Sequence, residues 1–244
     1  MERISSGIIG LDELIEGGFI KKSTILITGK TGTGKTLFCG SFLYAGAIRG
    51  ETGIYVTTEE TEEDIVNDIQ STFKNWKFKE AVQKGLIKIY SVRPILLSPT
   101  EIDPSKLIKI YINSLIEKID IAKREIDVKR VVIDSVSMIE QFLKDVYLAR
   151  VGLGLLIDKL KSYDITTLLT GTIEEGSNKL SGSGIVEFLV DAVIKLDFVP
   201  VSEEFQRTLT IRKMRRTNHS TLIHPFRITQ DGIKVLKIEE IEKV

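Results

Sequence analysis

Residues 23–36 read Ser-Thr-Ile-Leu-Ile-Thr-Gly-Lys-Thr-Gly-Thr-Gly-Lys-Thr, an apolar run that passes directly into a glycine-rich segment. The apolar part, 23–28, is typical of a strand buried in a parallel sheet. The remainder, 29–36, is a complete Walker A sequence, and a helix is expected from about 35 to 48, ended by Gly50. A strand, a glycine-rich loop and a helix in this order predict an α/β fold built around a phosphate-binding loop.

The glycine-rich segment has the composition that phosphate binding requires. Glycines let backbone N–H groups turn toward phosphate oxygens, and the following helix directs its positive end at them. Lys35 is predicted to reach the β- and γ-phosphates of ATP, and Thr36 to hold Mg²⁺ through its hydroxyl. An ordinary Gly/Thr turn is the alternative, but the strand and helix flanks argue against it. The predicted ATP contacts are Gly29, Thr31, Gly32, Thr33, Gly34, Lys35 and Thr36.

Strand and helix patterns alternate through most of the chain. Strands are predicted at 54–58, 87–92, 130–134 and 166–170, and helices at about 105–124 and 146–163, with Thr61 as the N-cap of another helix. This order implies a mostly parallel sheet flanked by helices, with right-handed crossovers. From Ala192 onward, short runs without helical period predict a C-terminal antiparallel extension at 192–198, 208–213, 223–228 and 233–238. Since no segment resembles a linker, residues 1–244 are predicted to form a single domain.

The composition excludes several classes of protein. Apolar residues make up 42% of the 244 and charged residues 28%, which allows a sizeable core and excludes fibrous and disordered chains. No basic stretch leads into an apolar run at the start, and no run reaches eighteen apolar residues, so we expect a soluble, cytoplasmic protein without a membrane partner. The formal net charge is zero, so a basic surface for nucleic acid would have to be local. The single cysteine, Cys39, is expected to be a small buried apolar residue.

Three carboxylates are placed to complete the chemistry. The strand Val131-Val132-Ile133-Asp134 delivers Asp134 to the edge where ligands bind in open α/β sheets, which predicts a Walker B residue acting on Mg²⁺. Glu59 and Glu60 follow the second strand, so they should reach the same edge, where a carboxylate can deprotonate an attacking water. The alternatives are a turn or cap role for Asp134, and an acidic helix start that runs from Glu59 through 62–64.

Several segments together resemble the KaiC/RadA branch of the RecA-type ATPases. They are Ser6-Gly7-Ile8-Ile9-Gly10-Leu11-Asp12-Glu13-Leu14 with Gly17-Gly18, the Walker A sequence, Tyr55-Val56-Thr57-Thr58-Glu59-Glu60 and Ile133-Asp134-Ser135. The later stretch 207–215, with Thr217 and His219, is similar to the KaiC side specifically. The resemblance spans nearly the whole chain. It implies a RecA-type fold, ATP and Mg²⁺ as cofactors, and a homo-oligomer, commonly a hexameric ring, with ATP between subunits.

The resemblance also implies roles for individual residues. By position, Glu59 matches the catalytic glutamate and Glu60 its partner. Lys213 and Arg215 match residues that reach the γ-phosphate bound by the neighbouring subunit, and His219 lies in the same segment. Without the family, the cations of 212–216 are equally well explained as a charged, solvated sheet edge, and His219 as a surface histidine.

The chain departs from the family pattern at two places. In the KaiC domain that phosphorylates itself, Ser and Thr acceptors lie a few residues before the aspartate that aligns with Asp191. This chain has Glu187-Phe188 there, so autokinase activity is not expected. Arg216 stands where the family usually has glycine, which makes the segment before Thr217 more basic.

The sequence leaves three functions to compare. The first is a slow, ring-forming or filament-forming ATPase whose cycle regulates a protein partner that the sequence does not identify. The alternative is a RadA-paralogue-like DNA-binding protein of recombination or repair, for which ATP is a conformational ligand. The loop 171–184 lies where recombinases contact DNA, yet its only lysine is Lys179 and it has no aromatic residue for base stacking. A small-molecule kinase is disfavoured because no second substrate pocket is legible.

Overall fold

The structure is a computed structural model that describes residues 1–93, 103–137, 139, 146–174, 176–177, 179–182, 184–201 and 203–236. Its strands are β1 (Arg3–Ile4), β2 (Phe19–Ile20), β3 (Thr24–Gly29), β4 (Thr52–Thr57), β5 (Ile87–Ser91), β6 (Val128–Asp134), β7 (Thr166–Thr172), β8 (Ala192–Val201), β9 (Glu204–Met214), β10 (Ile223–Thr229) and β11 (Gly232–Val235). Its helices are α1 (Leu11–Leu14), α2 (Lys35–Ala47), α3 (Glu62–Thr72), α4 (Phe78–Gln83), α5 (Pro104–Glu125), α6 (Val146–Lys161) and α7 (Val186–Leu189).

Within the described ranges, nine strands form one sheet in the order β11-β10-β9-β8-β3-β7-β6-β4-β5, and β1 pairs with β2 beside it. The six strands from β8 to β5 run parallel to their neighbours. The last three, β9 to β11, are antiparallel. The mostly parallel sheet and the C-terminal antiparallel extension are therefore confirmed. One detail differs. Strand β8 was predicted as part of the antiparallel extension, but it pairs in parallel with β3, on the side of β3 opposite to β7.

Side chains on opposite faces of the sheet build two separate cores. In β3, Ile25 and Ile27 join the core that packs against α2 and α3, whereas Leu26 joins the core that packs against α5 and α6. All three side chains are fully buried. The alternation follows from the two-residue period of a strand. Because β3 is packed on both faces and paired with a strand on each side, the start of the loop that follows it is held in place.

The predicted element boundaries agree closely with the structure where both exist. Helix α2 begins at Lys35 as expected, and α3 begins after Thr61, whose side chain forms a capping box with Asp64. The strand predicted at 208–213 is longer, because β9 pairs with β8 along a hairpin that reaches residue 204. The strand predicted at 233–238 corresponds to β11, which ends at Val235; residues 237–238 lie outside the described part of the chain. Among the described residues, five short elements were not predicted: β1, β2, α1, α4 and α7. None of the helices in the described part is long and apolar enough to cross a membrane.

Candidate functional site

The loop between β3 and α2 owes its shape to glycines. Gly32 and Gly34 have φ angles of 80° and 105°, a left-handed backbone that L-residues rarely adopt. Gly29 needs to lack a side chain for another reason, since a Cβ there would lie 2.3 Å from the Leu196 carbonyl oxygen. Thr33 is buried and its hydroxyl donates to the Lys30 carbonyl at 2.8 Å, while Thr31 is exposed. The loop thus folds back tightly at the N-terminus of α2, as phosphate binding requires.

Lys35, the first residue of α2, lies across this loop. Its ammonium donates to the carbonyls of Gly29 and Lys30 at 2.8 and 2.9 Å. Burial lowers the pKa of Lys35, and the Asp134 carboxylate opposes that shift. The ammonium is thus held at the loop by two exchangeable hydrogen bonds.

Thr36 and Asp134 meet although 98 residues separate them in sequence. The Thr36 hydroxyl donates to one carboxylate oxygen of Asp134 at 2.9 Å, and Thr170 of β7 donates to the other at 2.5 Å. Hydroxyl and carboxylate oxygens are ligands that Mg²⁺ accepts, usually one or two carboxylates together with phosphates and water. In the described residues no group of three or more His, Cys, Asp or Glu could hold a metal. The oxygens of Thr36 and Asp134 fit Mg²⁺ by their chemistry, as ligands that would act together with phosphate and water.

Tyr55 is a part of this arrangement that the sequence did not reveal as functional. Its hydroxyl donates to the same Asp134 oxygen as Thr36. The side chain is fully buried, and burial, followed by the charge of Asp134, raises the pKa of Tyr55 well above its usual value. Tyr55 therefore remains a neutral donor. The available signal was a single tyrosine in an otherwise aliphatic buried strand.

Glu59 lies next to Asp134 because the ends of β4 and β6 are joined by hydrogen bonds. The Thr58 N–H donates to the Asp134 carbonyl at 2.8 Å, and the Ser135 N–H donates to the Thr58 hydroxyl at 2.9 Å. The Ser135 hydroxyl then donates to the Glu59 carboxylate at 2.8 Å. The Asp134 carboxylate is bonded to side chains of α2 and two other strands, which argues against a simple turn or cap role.

Glu60 has a different environment from its neighbour. One of its carboxylate oxygens is buried and has no hydrogen-bond partner. Burial, followed by the charge of Asp134, raises the pKa of Glu60. Both glutamates precede the Thr61 cap, so neither belongs to the acidic first turn of α3. The alternative that they merely begin that helix does not hold.

Lys213 and Arg215 lie near the amino ends of the parallel strands, whereas their own phosphate loop follows the carboxyl end of β3. Met214, between them, pairs with Ala192, and Ala192 pairs with Ile25 of β3. Ile25 precedes Gly29 by four residues, which is about 13 Å along a parallel strand. The two cations therefore cannot complete the phosphate site of their own chain.

The two cations differ in their contacts. The Lys213 ammonium donates to the carbonyls of Glu187 and Val190 at 2.8 and 2.7 Å, and burial, followed by the charge of Arg215, lowers its pKa. The Arg215 side chain is 53% exposed and lies 3.9 Å from the Asp191 carboxylate. His219 is half-buried, and its Nδ1 lies 2.9 Å from the Ser220 carbonyl oxygen.

The departures from the family pattern also have a place in the fold. Glu187 accepts a hydrogen bond from the Ser181 hydroxyl at 2.6 Å, and Phe188 is exposed. Arg216 has a φ angle of 58°, in the left-handed region. This backbone conformation explains why glycine suits the position. Arg216 adopts the same conformation at a higher conformational free energy.

The loop at 171–184 is attached to the core at its C-terminal half. Thr28 of β3 donates a hydrogen bond to the Leu180 carbonyl, and Ser181 is buried against Glu187. Lys179 is exposed. No observation on the described residues of this loop favours DNA binding, which stays a prediction for a salt-dependent gel shift.

Cys39 is fully buried as expected, and burial raises its pKa.

Comparisons with known proteins identify the family of the chain. The family model described as "ATPase: KaiC" matches residues 4–240. UPF0273 protein MK0039 of Methanopyrus kandleri is 33% identical, over 96% of this chain and 92% of that protein. The circadian clock oscillator protein KaiC of Parathermosynechococcus lividus is 34% identical over 96% of this chain, which spans only 42% of it. The crystal structure of KaiC-like protein PH0186 from Pyrococcus horikoshii superposes with a TM-score of 0.81 at 37% identity, covering 97% of this chain and 99% of that one. The chain therefore belongs to the KaiC family of ATPase domains and has its RecA-type fold.

Proposed function

We propose that this protein binds ATP with Mg²⁺ and hydrolyses it slowly at the interfaces of a homo-oligomer, as a single ATPase domain whose cycle regulates a protein partner. One observation carries the proposal. At the sheet edge beside the phosphate loop, the Thr36 hydroxyl donates to the Asp134 carboxylate at 2.9 Å. The hydroxyl of Ser135, the next residue, donates to the Glu59 carboxylate at 2.8 Å. This set supplies a phosphate cradle, a metal position and a general base, which hydrolysis of a phosphoanhydride requires together.

Each residue has a role that its position supports. The loop N–H groups and Lys35 bind the β- and γ-phosphates, for which Lys35 exchanges its hydrogen bonds to the Gly29 and Lys30 carbonyls. Thr36 and Asp134 would hold Mg²⁺, which would supply positive charge next to the phosphates. Glu59 orients a water in line with the γ-phosphate and accepts its proton, while Ser135 fixes the carboxylate.

The role of the oligomer follows from the distance between the two edges of the sheet. Arg215 lies too far from its own phosphate loop to stabilise the transition state there. Arg215 of the neighbouring subunit supplies that charge, in the manner of an arginine finger, which is worth roughly 10³ to 10⁵ in rate. Hydrolysis is therefore slow unless subunits are assembled with the correct geometry. A partner that shifts this geometry would change the rate.

Replacement of Lys35 tests the proposed activity. Lys35→Ala is expected to reduce Mg²⁺-dependent ATP hydrolysis by at least about a hundredfold, because it removes the charge that binds the reacting phosphates. Lys74→Ala is the matched control, since Lys74 is an exposed lysine away from the loop, and it should leave the rate unchanged. Purified Lys35→Ala protein that hydrolyses ATP like the wild type would place the activity elsewhere.

A further inference from the structure

Groups from three parts of the chain converge on Asp191, which lies between α7 and β8: a backbone N–H and the two charged side chains of Lys161 and Arg215. The Asp191 carboxylate accepts a hydrogen bond from the Thr24 N–H at 3.0 Å, and its side chain is only 14% exposed. The Lys161 ammonium, at the end of α6, lies 3.3 Å from both carboxylate oxygens. Asp191 is thus an inward-facing carboxylate held by the start of β3 and by a lysine of α6.

The same residue makes two contacts with Arg215. The Asp191 carbonyl accepts a hydrogen bond from the Arg215 N–H at 3.0 Å, and one Asp191 carboxylate oxygen lies 3.9 Å from the Arg215 guanidinium. The backbone contact fixes where Arg215 leaves the chain. The carboxylate contact restricts the direction of a side chain that otherwise has many rotamers.

Lys213 fixes the end of β9 to the same turn. Its ammonium donates to the carbonyls of Glu187 and Val190, so it is engaged within its own chain. Of the two cations, Arg215 is the one whose side chain is mostly exposed at the subunit surface. The segment is therefore built as an anchor, Lys213, followed by an outward-facing guanidinium, Arg215.

We propose that Asp191 is a positioning residue for catalysis between subunits: it directs the Arg215 guanidinium toward the nucleotide held by the next subunit. The proposal rests on the shared site of the proposed function. Because Asp191 divides its charge between Lys161 and Arg215, the guanidinium is oriented without being closed into a tight pair. The 3.9 Å separation leaves it able to transfer to a phosphate.

The competing explanation is a purely structural ion pair. Lys161 and Asp191 join α6 to the sheet, and loss of that contact would impair every function of the subunit equally. If Asp191 positions Arg215, its loss should matter only in the subunit that donates the guanidinium. The two explanations separate if the subunit that binds ATP and the subunit that donates Arg215 carry different substitutions.

Mixed oligomers provide this separation. A Lys35→Ala chain keeps Arg215 but lacks a working phosphate loop, and an Arg215→Ala chain has the reverse defect. Their mixture should recover some hydrolysis, since one kind of interface then has an intact loop and an intact guanidinium. Asp191→Asn is then added to one chain or to the other. Asparagine can still accept from the Thr24 N–H, so the fold is expected to persist.

Asp191→Asn in the Lys35→Ala chain should reduce the recovered rate at least about tenfold, since misplacement of a catalytic group by 1 Å can cost about a hundredfold. In the Arg215→Ala chain it should change the rate less than about twofold. In the Lys35→Ala chain, Lys161→Gln should reduce the recovered hydrolysis rate less than Asp191→Asn does. Equal losses from both placements, no loss from either, or a Lys161→Gln loss equal to that of Asp191→Asn would overturn the proposal. If native mass spectrometry verifies mixed oligomers and the unmodified mixture recovers nothing, the shared site itself fails, and the positioning role with it.

Discussion

Glu59 and Glu60 are adjacent in sequence, yet their carboxylates have different partners. Glu59 accepts a hydrogen bond from Ser135, the residue after Asp134, whereas Glu60 has a buried oxygen without a partner. A general base must be held in one orientation at hydrogen-bonding distance from its water. The contacts therefore support Glu59, rather than Glu60, as the proposed general base.

Glu59→Gln should keep ATP affinity and lower turnover by about 10² to 10⁴, because an amide has the same shape but cannot accept the proton of the water. Glu60→Gln is the matched control and should be milder. Nucleotide binding by calorimetry and single-turnover hydrolysis measure the two effects separately. Should Glu59→Gln lose affinity and turnover to the same extent, Glu59 belongs to the structure or to metal binding instead.

Arg216 provides a prediction about stability at the same scale. A left-handed backbone costs an L-residue roughly 1 to 2 kcal/mol, while glycine loses about 0.4 to 1 kcal/mol through the greater freedom of the unfolded chain. Arg216→Gly should therefore stabilise the protein by about 0.5 to 1 kcal/mol, measured as a shift of the urea unfolding midpoint. Arg216→Ala removes the charge but keeps the strained backbone, so it should give no gain. A gain in the alanine variant would attribute the effect to charge repulsion within 212–216.

Sequence reasoning predicted the charged groups of the candidate site and the Thr36 hydroxyl, but not the three other hydroxyls that contact Asp134 and Glu59. Walker A and the apolar strand before Asp134 follow from local patterns, so Thr36 and Asp134 could be paired in advance. Tyr55, Thr170 and Ser135 contact Asp134 or Glu59 only because three strands end at one edge. Buried hydroxyl residues in a strand look like ordinary core positions until the register of neighbouring strands is known.

At the scale of elements, the start of the chain, α2 and β6 are joined around one buried arginine. Arg130 of β6 is 1% exposed; it forms an ion pair with Glu51 at 2.7 Å and donates to the carbonyls of Ser5 and Phe42 at 2.8 and 2.7 Å. Gly7 of the family's opening motif packs so tightly that a Cβ would lie 2.2 Å from the Ser41 carbonyl oxygen. The opening segment is therefore packed directly on α2.

Gly46 of α2 tests this arrangement. A Cβ there would lie 2.5 Å from the Arg130 Nε, so Gly46→Ala should destabilise the protein by about 1 to 3 kcal/mol through overpacking. This loss opposes a gain of about 1 kcal/mol in helix propensity. Gly154 in α6 is the matched control, because a Cβ there meets nothing within 4 Å. Gly154→Ala should thus be neutral or stabilising in the same unfolding assay, and equal effects at the two glycines would contradict the proposed role of Arg130.

The order of the elements was largely predictable, because alternating strand and helix patterns imply a parallel sheet with crossovers. The short elements β1, β2, α1, α4 and α7 were not, since two to six residues carry too little periodicity. The double pairing of β8 also could not be read from the sequence. A strand that is parallel to one neighbour and antiparallel to the other has no local signature.

At the scale of the whole molecule, the sheet separates the two halves of the proposed catalytic site. The phosphate loop, Asp134 and Glu59 occupy one edge, while Arg215 lies about 13 Å away along the strands, at the other. One chain can therefore bind nucleotide at its first edge and offer a cation to another chain from its second. The proposed contact between subunits is heterologous, so its repetition would generate a closed ring or an open filament.

The most direct test of the shared site is the rate of ATP hydrolysis per subunit across a dilution series, with the assembly state of each sample determined by mass photometry. The rate per subunit should fall in step with dissociation, and the isolated subunit should retain ATP binding while hydrolysing about 10³-fold or more slowly, since it lacks the neighbour's Arg215. A dilute, verified monomer that hydrolyses ATP at the full rate would contradict catalysis between subunits.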